Sequence, residues 1–266
     1  MWIAVIPAYN EASAINTTIT NTFSAQVDLI LLVANGCSDR TCAEAYRACN
    51  HKALKILHFT QPLGLDVPKA IGAAYALKYR PRGVLFLDGD MNGPIQPLLT
   101  NLMSAIENGL DLALTDCYPK KEQRSDLANQ VLKARKELNV QLELYEKIGV
   151  ATPSHGPHGI SGKLLAELDL RNLAIPPKIL VQSKALSAAI DIGAAIPHDK
   201  LGSTTRTPLH AEKIAQTIIN DCQEALAMFK PSPIVYNIVD NINRSYRSER
   251  RLDILEHFLL SLDISR

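Results

Sequence analysis

Along the first 116 residues, short apolar blocks alternate with amphipathic ones, and the alternation predicts strands and helices in turn. Residues 2–6 form a compact apolar run ended by Pro7, the pattern of a strand buried on both faces. Residues 11–24 read as a helix with Ile15 and Ile19 on one side. A second apolar strand covers 29–33 and stops at Asn35-Gly36. Ser38 and Asp39 then stand where a cap is expected, before a helix running through Tyr46. Residues 54–58 read as a third strand, 61–68 as a loop punctuated by Gly and Pro, and 69–77 as a helix. Residues 83–87 run as a strand straight into Asp88, and 110–115 repeat the arrangement and end at Asp116. This order predicts parallel strands joined by helical crossovers, a doubly wound α/β sheet. Ligands of such sheets bind beyond the carboxyl ends of the strands. Segments 7–11, 35–39 and 88–90 and Asp116 all follow predicted strands, so this fold gathers them on one edge.

The pattern changes after residue 125. Leu127, Val131, Ala134, Leu138, Tyr145 and Ile148 recur at helical intervals and predict one long amphipathic helix over 125–148, ended by Gly149. A loop rich in His, Gly and Pro follows at 152–162, then a helix, a second helix over 178–189 and a strand at 189–196. From 210 onward the chain reads as mostly helical. Leu252, Leu255, Phe258, Leu259 and Leu262 share one helix face there, which suits a homodimer contact or a cover over the core.

Composition narrows the class. The 266 residues are 47% hydrophobic and 21% charged, an ordinary globular balance, and the formal charge of +1 gives no basic excess for a nucleic-acid partner. A basic run at 244–251 reads as a solvated helix face, or as a surface meeting an anionic substrate or membrane. The five cysteines are odd in number and include no Cys-x-x-Cys pair, which fits free thiols in a reducing cytoplasm. No signal-peptide pattern opens the chain, and no apolar run reaches the ~18–20 residues of a membrane span. The expected location is the cytoplasm, with a peripheral visit to a membrane left open.

Asp88-Gly89-Asp90 is the most informative tripeptide. Two carboxylates separated by a residue without a side chain stand where an apolar strand stops. Hard divalent cations bind through one or two carboxylates together with substrate phosphates, and such a metal neutralises charge on a leaving diphosphate. The strings IPAYNE (6–11), VANGCSDRT (33–41), PKAIGAAYAL (68–77) and LFLDGD (85–90) occur in order around it. As a set they resemble the family 2 group of GT-A glycosyltransferases, with its Pro-x-x-Asn-Glu motif after the first strand and an Asp-x-Asp closing the nucleotide half.

The resemblance covers residues 1–116 best. It implies a GT-A fold with a mostly parallel sheet, a catalytic domain over 1–210 and a helical extension over 211–266. Residues 1–116 would form the nucleotide-sugar half and 117–210 the acceptor half. The implied donor pocket contains Pro7, Tyr9, Asn10, Glu11, Asn35, Gly36, Lys69, Asp88 and Gly89. Asn35 takes the base-reading position, where the family commonly has Asp; Lys69 would meet a phosphate, or open its helix as a surface lysine. Asp90 would ligate Mn²⁺ or Mg²⁺, with His198 as first candidate and His210 as second to complete the shell. Gly202, Ser203 and Arg206 would cradle phosphate oxygens, and His155, His158, Gly159, Ser161 and Lys163 would face the acceptor. His155 and His158 lack a third partner for a zinc site. For a catalytic carboxylate the candidates are Asp116 and Asp191, with Glu167 and Asp169 also following the acceptor loop. Asp116 is placed as in the glucosyl- or mannosyl-glycerate type of enzyme, some of which retain configuration and need no base.

The implied activity is sugar transfer from a nucleotide-diphosphate sugar to a small phosphorylated, lipid-phosphate or saccharide acceptor. Two rivals share the fold: a nucleotidyltransferase, whose Gly-rich, Arg-containing loop is missing after the first strand, and a degenerate binding module. An NAD-dependent oxidoreductase would need Gly-x-Gly-x-x-Gly there, which is absent.

Overall fold

A computed structural model describes residues 1–49, 53–120, 124–203, 207–230 and 245–262. Its strands are β1 (Trp2–Ala8), β2 (Leu29–Asn35), β3 (Leu54–Phe59), β4 (Gly83–Phe86), β5 (Leu112–Asp116), β6 (His158–Ser161) and β7 (Ile190–Ala195). They form one seven-stranded sheet in the order β3-β2-β1-β4-β6-β5-β7. All pairings are parallel except those of β6, which runs antiparallel to β4 and β5. The helices are α1 (Ile15–Ser24), α2 (Thr41–Arg47), α3 (Val67–Leu77), α4 (Gln96–Glu107), α5 (Asp126–Gln141), α6 (Tyr145–Ile148), α7 (Gly162–Glu167), α8 (Pro177–Ala185), α9 (Pro208–Phe229) and α10 (Leu252–Ser261).

Two apolar layers sandwich the sheet. Ile3 and Val5 of β1 face one layer, with α3, α5, α8, α9 and α10 over it. Trp2, Ala4, Ile6 and Ala8 face the other, covered by α1 and α4. Successive side chains of a strand point to opposite faces, so a central strand covered on both sides must be apolar throughout. This is why residues 2–6 lack a polar alternation.

Three expectations are corrected and one alternative is narrowed. The helix expected over 125–148 is two helices, α5 and α6. Asn139 Nδ2 donates to the carbonyls of Gly149 and Ala151 at 2.8 and 2.9 Å, and Glu143 adopts φ +56°, so the chain folds back instead of continuing. The helix expected from residue 11 begins at Ile15, because Glu11 first makes a turn that accepts from the Ala14 and Ile15 amides. The His/Gly/Pro stretch read as a loop contains β6. Gly159 there lies so close to Ile106 of α4 that a Cβ would stand 2.7 Å from its side chain, and the strand threads between β4 and β5. Finally, Leu255 and Leu259 of α10 are buried against the core, and Phe258 packs edge-on against Phe59. Leu255 and Leu259 thus take one of the two roles the stripe allowed, a cover over the core, while Leu252 stays exposed. Among the described residues, no helix is long and apolar enough to cross a membrane.

Gly72 sets how closely α3 approaches the sheet, since a Cβ there would overlap the Val5 side chain of β1. Ala is favoured over Gly in a helix by about 1 kcal/mol, but overpacking costs about 1–3 kcal/mol. We expect the packing effect to win. Chemical denaturation of Gly72→Ala should show a net loss of stability.

Candidate functional site

The strand order reverses between β1 and β4, and in sheets of this kind the crevice beyond the carboxyl ends at such a reversal is where ligands bind. Tyr9, Asn10 and Glu11 follow β1, and Asp88, Gly89 and Asp90 follow β4. The two loops are tied together: the Gly89 amide donates to the Pro7 carbonyl at 3.1 Å, and Thr18 Oγ1 of α1 donates to the Gly89 carbonyl at 3.0 Å. A third loop joins from β2. Asn10, at φ +57°, accepts through Oδ1 from the Ser38 amide at 2.9 Å, and the Glu11 amide donates to Thr41 Oγ1 at 2.8 Å. Asp39 accepts from the Thr41 and Ala12 amides at 2.9 and 3.1 Å. Burial pushes the Asp39 carboxyl up, and these hydrogen bonds outweigh it and hold the group below the usual carboxylate range. Tyr9 is exposed beside this frame while Glu11 is buried.

Asn35, expected at the base-reading position, is engaged within the chain. Its Oδ1 accepts from the Leu63 amide at 2.6 Å and its Nδ2 donates to the Gly64 carbonyl at 3.3 Å. The side-chain amide therefore braces the loop ahead of α3, with Gly36 following it on the crevice side of the sheet.

Lys69 is buried, which corrects its reading as a surface lysine. Its Nζ lies 3.0 Å from Asp88 Oδ1 and 3.2 Å from Asp66 Oδ1. Burial alone would lower its pKa, but the two carboxylates reverse this and hold the ammonium firmly protonated. The Asp88 side chain remains 43% exposed. One carboxylate of the Asp-Gly-Asp tripeptide is thus neutralised from within, and its partner Asp90 accepts from Ser203 Oγ at 3.4 Å.

That serine belongs to the loop after β7. The loop packs on residues 92–93, where the Gly93 amide donates to the Leu201 carbonyl at 3.0 Å and Gly202 touches Asn92. Gly202 and Ser203 therefore adjoin the Asp90 turn, whereas Arg206 lies outside the described residues. The same loop carries His198, whose amide donates to the Cys117 carbonyl at 3.0 Å. Its Nδ1 is 3.0 Å from His155 Nε2, and both rings stack with Tyr118. Burial, then the nearby Arg135 guanidinium, lowers the pKa of both histidines, so both are neutral at pH 7. Arg135 is itself buried, and its Nε has no hydrogen-bond partner among the described residues. A cleft of about 350 Å³ opens beside this cluster, lined by Tyr118, Lys120, Arg124, Pro197, His198 and Asp199. Asp116 ends β5 at the same edge and accepts from the Tyr118 amide at 2.8 Å.

Several expected site residues stand elsewhere. Because β6 runs antiparallel, only its first residue is at the crevice end. His158 pairs with Phe86 there, but it is buried and stacked on the Phe86 ring at 5.1 Å. Gly159 lies inside the sheet, and Ser161 pairs with Gly83 at the opposite edge, where it accepts from the Leu164 amide and donates to Asp111. Lys163 and Glu167 follow on α7 from that far edge, and Asp169 pairs with Arg171. Asp191 lies near the start of β7, opposite Ala113, while Ala195 at the other end meets Asp116. His210 places its Nδ1 2.6 Å from the Tyr246 hydroxyl. Among the described residues, no three His, Cys, Asp or Glu side chains form a metal shell by themselves.

Sequence reasoning missed Asp66, Arg135, Tyr118 and Arg250. Asp66 had a signal, since an acidic residue before Val-Pro-Lys occupies a helix N-cap position. Arg250 sits in the basic run read as solvated, yet it is buried. Arg135 carried no signal, being one of several cations along an amphipathic helix.

No family model matches the sequence, and no curated protein matches it. Solved structures do match. The chain superimposes on a crystal structure of a mycobacterial protein with a TM-score of 0.58 at 18% identity, over 84% of this chain and 75% of that one. It also superimposes on glucosyl-3-phosphoglycerate synthase from Mycobacterium tuberculosis in complex with Mn²⁺, uridine diphosphate and phosphoglyceric acid. The TM-score there is 0.57 at 19% identity, over 84% and 78% of the two chains. A further structure of that synthase, holding Mn²⁺, uridine-diphosphate-glucose and phosphoglyceric acid, gives 0.57 at 18% identity over 84% and 80%. The likeness is one of fold.

The buried imidazole of His158 makes a pH prediction. Burial, then the Lys69 charge, pushes its pKa to about 3, whereas an unfolded histidine titrates near 6.5. Below pH ~6.5 the unfolded chain binds the extra proton, so this contribution to stability is complete above that pH and is lost as pH falls toward 3. Denaturation midpoints of His158→Phe should therefore fall less steeply between pH 6.5 and 4 than those of the natural protein.

Proposed function

We propose that this protein transfers a sugar from a nucleoside-diphosphate sugar to a small phosphorylated acceptor, with a divalent metal as cofactor. The observation that carries the reading is the meeting of the Tyr9–Glu11 and Asp88–Asp90 loops at the strand-order reversal, in a fold shared with a synthase that binds a uridine-diphosphate sugar. The donor set suits Mg²⁺ or Mn²⁺: Asp90, and the Asp88 oxygen not paired with Lys69, are hard ligands that a diphosphate would complete. Such a metal, when bound, withdraws negative charge from the leaving diphosphate.

The chain's own residues divide the remaining work. Tyr9, Asn10 and the Asp39 frame hold the nucleoside end. Lys69 fixes the orientation of Asp88. Neutral His198, steadied by His155 and carried on the loop that also brings Ser203 to Asp90, is the first candidate to complete the metal shell, and His210 is the less favoured choice because it pairs with Tyr246. The acceptor enters the cleft lined by Lys120, Arg124 and His198, whose cations suit a phosphate or carboxylate on a compact molecule. Asp116 is the carboxylate of the expected catalytic pair that lies on this edge.

The reading is tested by following release of nucleoside diphosphate from uridine-, guanosine- and adenosine-diphosphate sugars, with phosphorylated hydroxy acids as acceptors and Mn²⁺ present. Turnover with one donor is expected, and Asp90→Ala should reduce it by about 10²–10³-fold without changing the thermal midpoint. Near-normal turnover by Asp90→Ala would contradict the metal assignment. In the same assay, Lys120→Ala and Arg124→Ala should raise KM for the acceptor and leave KM for the donor unchanged.

A further inference from the structure

A chain of alternating charges runs from the C-terminal segment to the donor crevice. Arg250 lies just before α10, and its guanidinium is held by both oxygens of Asp221 on α9, at 2.8 and 2.6 Å. The same group reaches Asp66 Oδ2 at 3.4 Å and donates through Nε to the Leu65 carbonyl at 3.2 Å. Asp66 holds Lys69, and Lys69 holds Asp88. Arg250, Asp221, Asp66 and Lys69 are all buried, and only Asp88, the last member, opens to the crevice.

The backbone follows the same route. The Arg251 amide donates to the Leu63 carbonyl at 2.8 Å. Gly64, at φ +82°, passes so close to the Glu249 carbonyl that any side chain there would overlap it. Asn35 grips the same loop from the other side, through Leu63 and Gly64. Asp66 itself is held at φ +64°, a left-handed conformation that a non-glycine residue adopts only when its surroundings impose it.

We propose that Arg250 is a positioning residue of the donor site: through Asp66 it sets where Lys69 stands, and through Lys69 the orientation of the Asp88 carboxylate. The inference rests on the donor-site reading above. A buried ion pair adds little net stability over apolar packing, and removing one partner leaves the other uncompensated. Without Arg250, Asp66 has Lys69 as its remaining cation and draws the ammonium away from Asp88. The C-terminal segment, remote in sequence from the nucleotide half, is by this route part of the donor site.

The test is a double-mutant cycle with Arg250→Met, Lys69→Met and both together. Calorimetry reads the affinity for uridine diphosphate with Mn²⁺, and circular dichroism reports folding. Arg250→Met is expected to weaken binding about tenfold in folded protein, with Arg250→Lys recovering part of the loss. Once Lys69 is Met, removing Arg250 should have no further effect on affinity. Unchanged affinity in folded Arg250→Met, or losses that multiply in the double variant, would overturn the proposal. If Arg250→Met does not fold, Arg250→Lys takes its place in the cycle, since a single ammonium keeps Asp221 paired but holds Asp66 more weakly than the guanidinium does. If the natural protein binds none of uridine, guanosine, adenosine or cytidine diphosphate, the donor-site reading fails on its own. The relay is then read from denaturation midpoints, where non-additive shifts for positions 250 and 69 support it and additive shifts overturn it.

Discussion

The ammonium of Lys69, buried between Asp66 and Asp88, is the interaction on which the geometry of the crevice depends. Against the effect of burial, the two carboxylates within 3.2 Å keep Lys69 protonated. Placing that ammonium requires α3 to start where it does and to lie flat on β1, which Gly72 permits. It also requires the loop before α3 to hold a left-handed residue at Asp66, and that loop is clamped by Asn35 on one side and by residues 249–251 on the other. The sheet, the crossover helix and the C-terminal segment thus converge on one oxygen of Asp88, leaving the other oxygen and Asp90 at the crevice.

The two ends of the crevice are built differently. The end beside β1 and β2 is framed by backbone amides and short polar side chains, as in the Asp39, Thr41 and Asn10 contacts. The other end is a ring cluster of Tyr118, His155 and His198 beside a buried Arg135, with Lys120 and Arg124 at the cleft. Burial, and then the guanidinium of buried Arg135, lowers the pKa of both imidazoles, and Arg135, Lys120 and Arg124 together suit an anionic partner.

Much of this was legible in the sequence because it is local. Apolar runs ending in Pro7, Asn35, Asp88 and Asp116 report strands that stop at one edge, and the doubly wound order follows from their alternation with helices. What was not legible depends on direction and distance. Nothing in Ser154–Lys163 says that part of it is an antiparallel strand, yet that direction carries Ser161 and Lys163 to the far edge and buries His158. The break after α5 comes from Asn139 reaching ten and twelve residues ahead, which a periodicity cannot report. Arg250 was hidden for the same reason, since its partners Asp66 and Asp221 are 184 and 29 residues away. Lys69 was recognised as a phosphate candidate or a surface residue; its burial between two carboxylates emerged only from the packing of α3.

The central claim, that the Asp88–Asp90 crevice receives a nucleoside diphosphate together with a divalent metal, is tested most directly by calorimetry of the natural protein. Uridine, guanosine, adenosine and cytidine diphosphate would each be titrated with and without Mn²⁺. The account predicts that one of them binds with 1:1 stoichiometry and that leaving out Mn²⁺ weakens it by at least about tenfold. Well-folded protein that binds none of the four, or binds one equally well without metal, would contradict it.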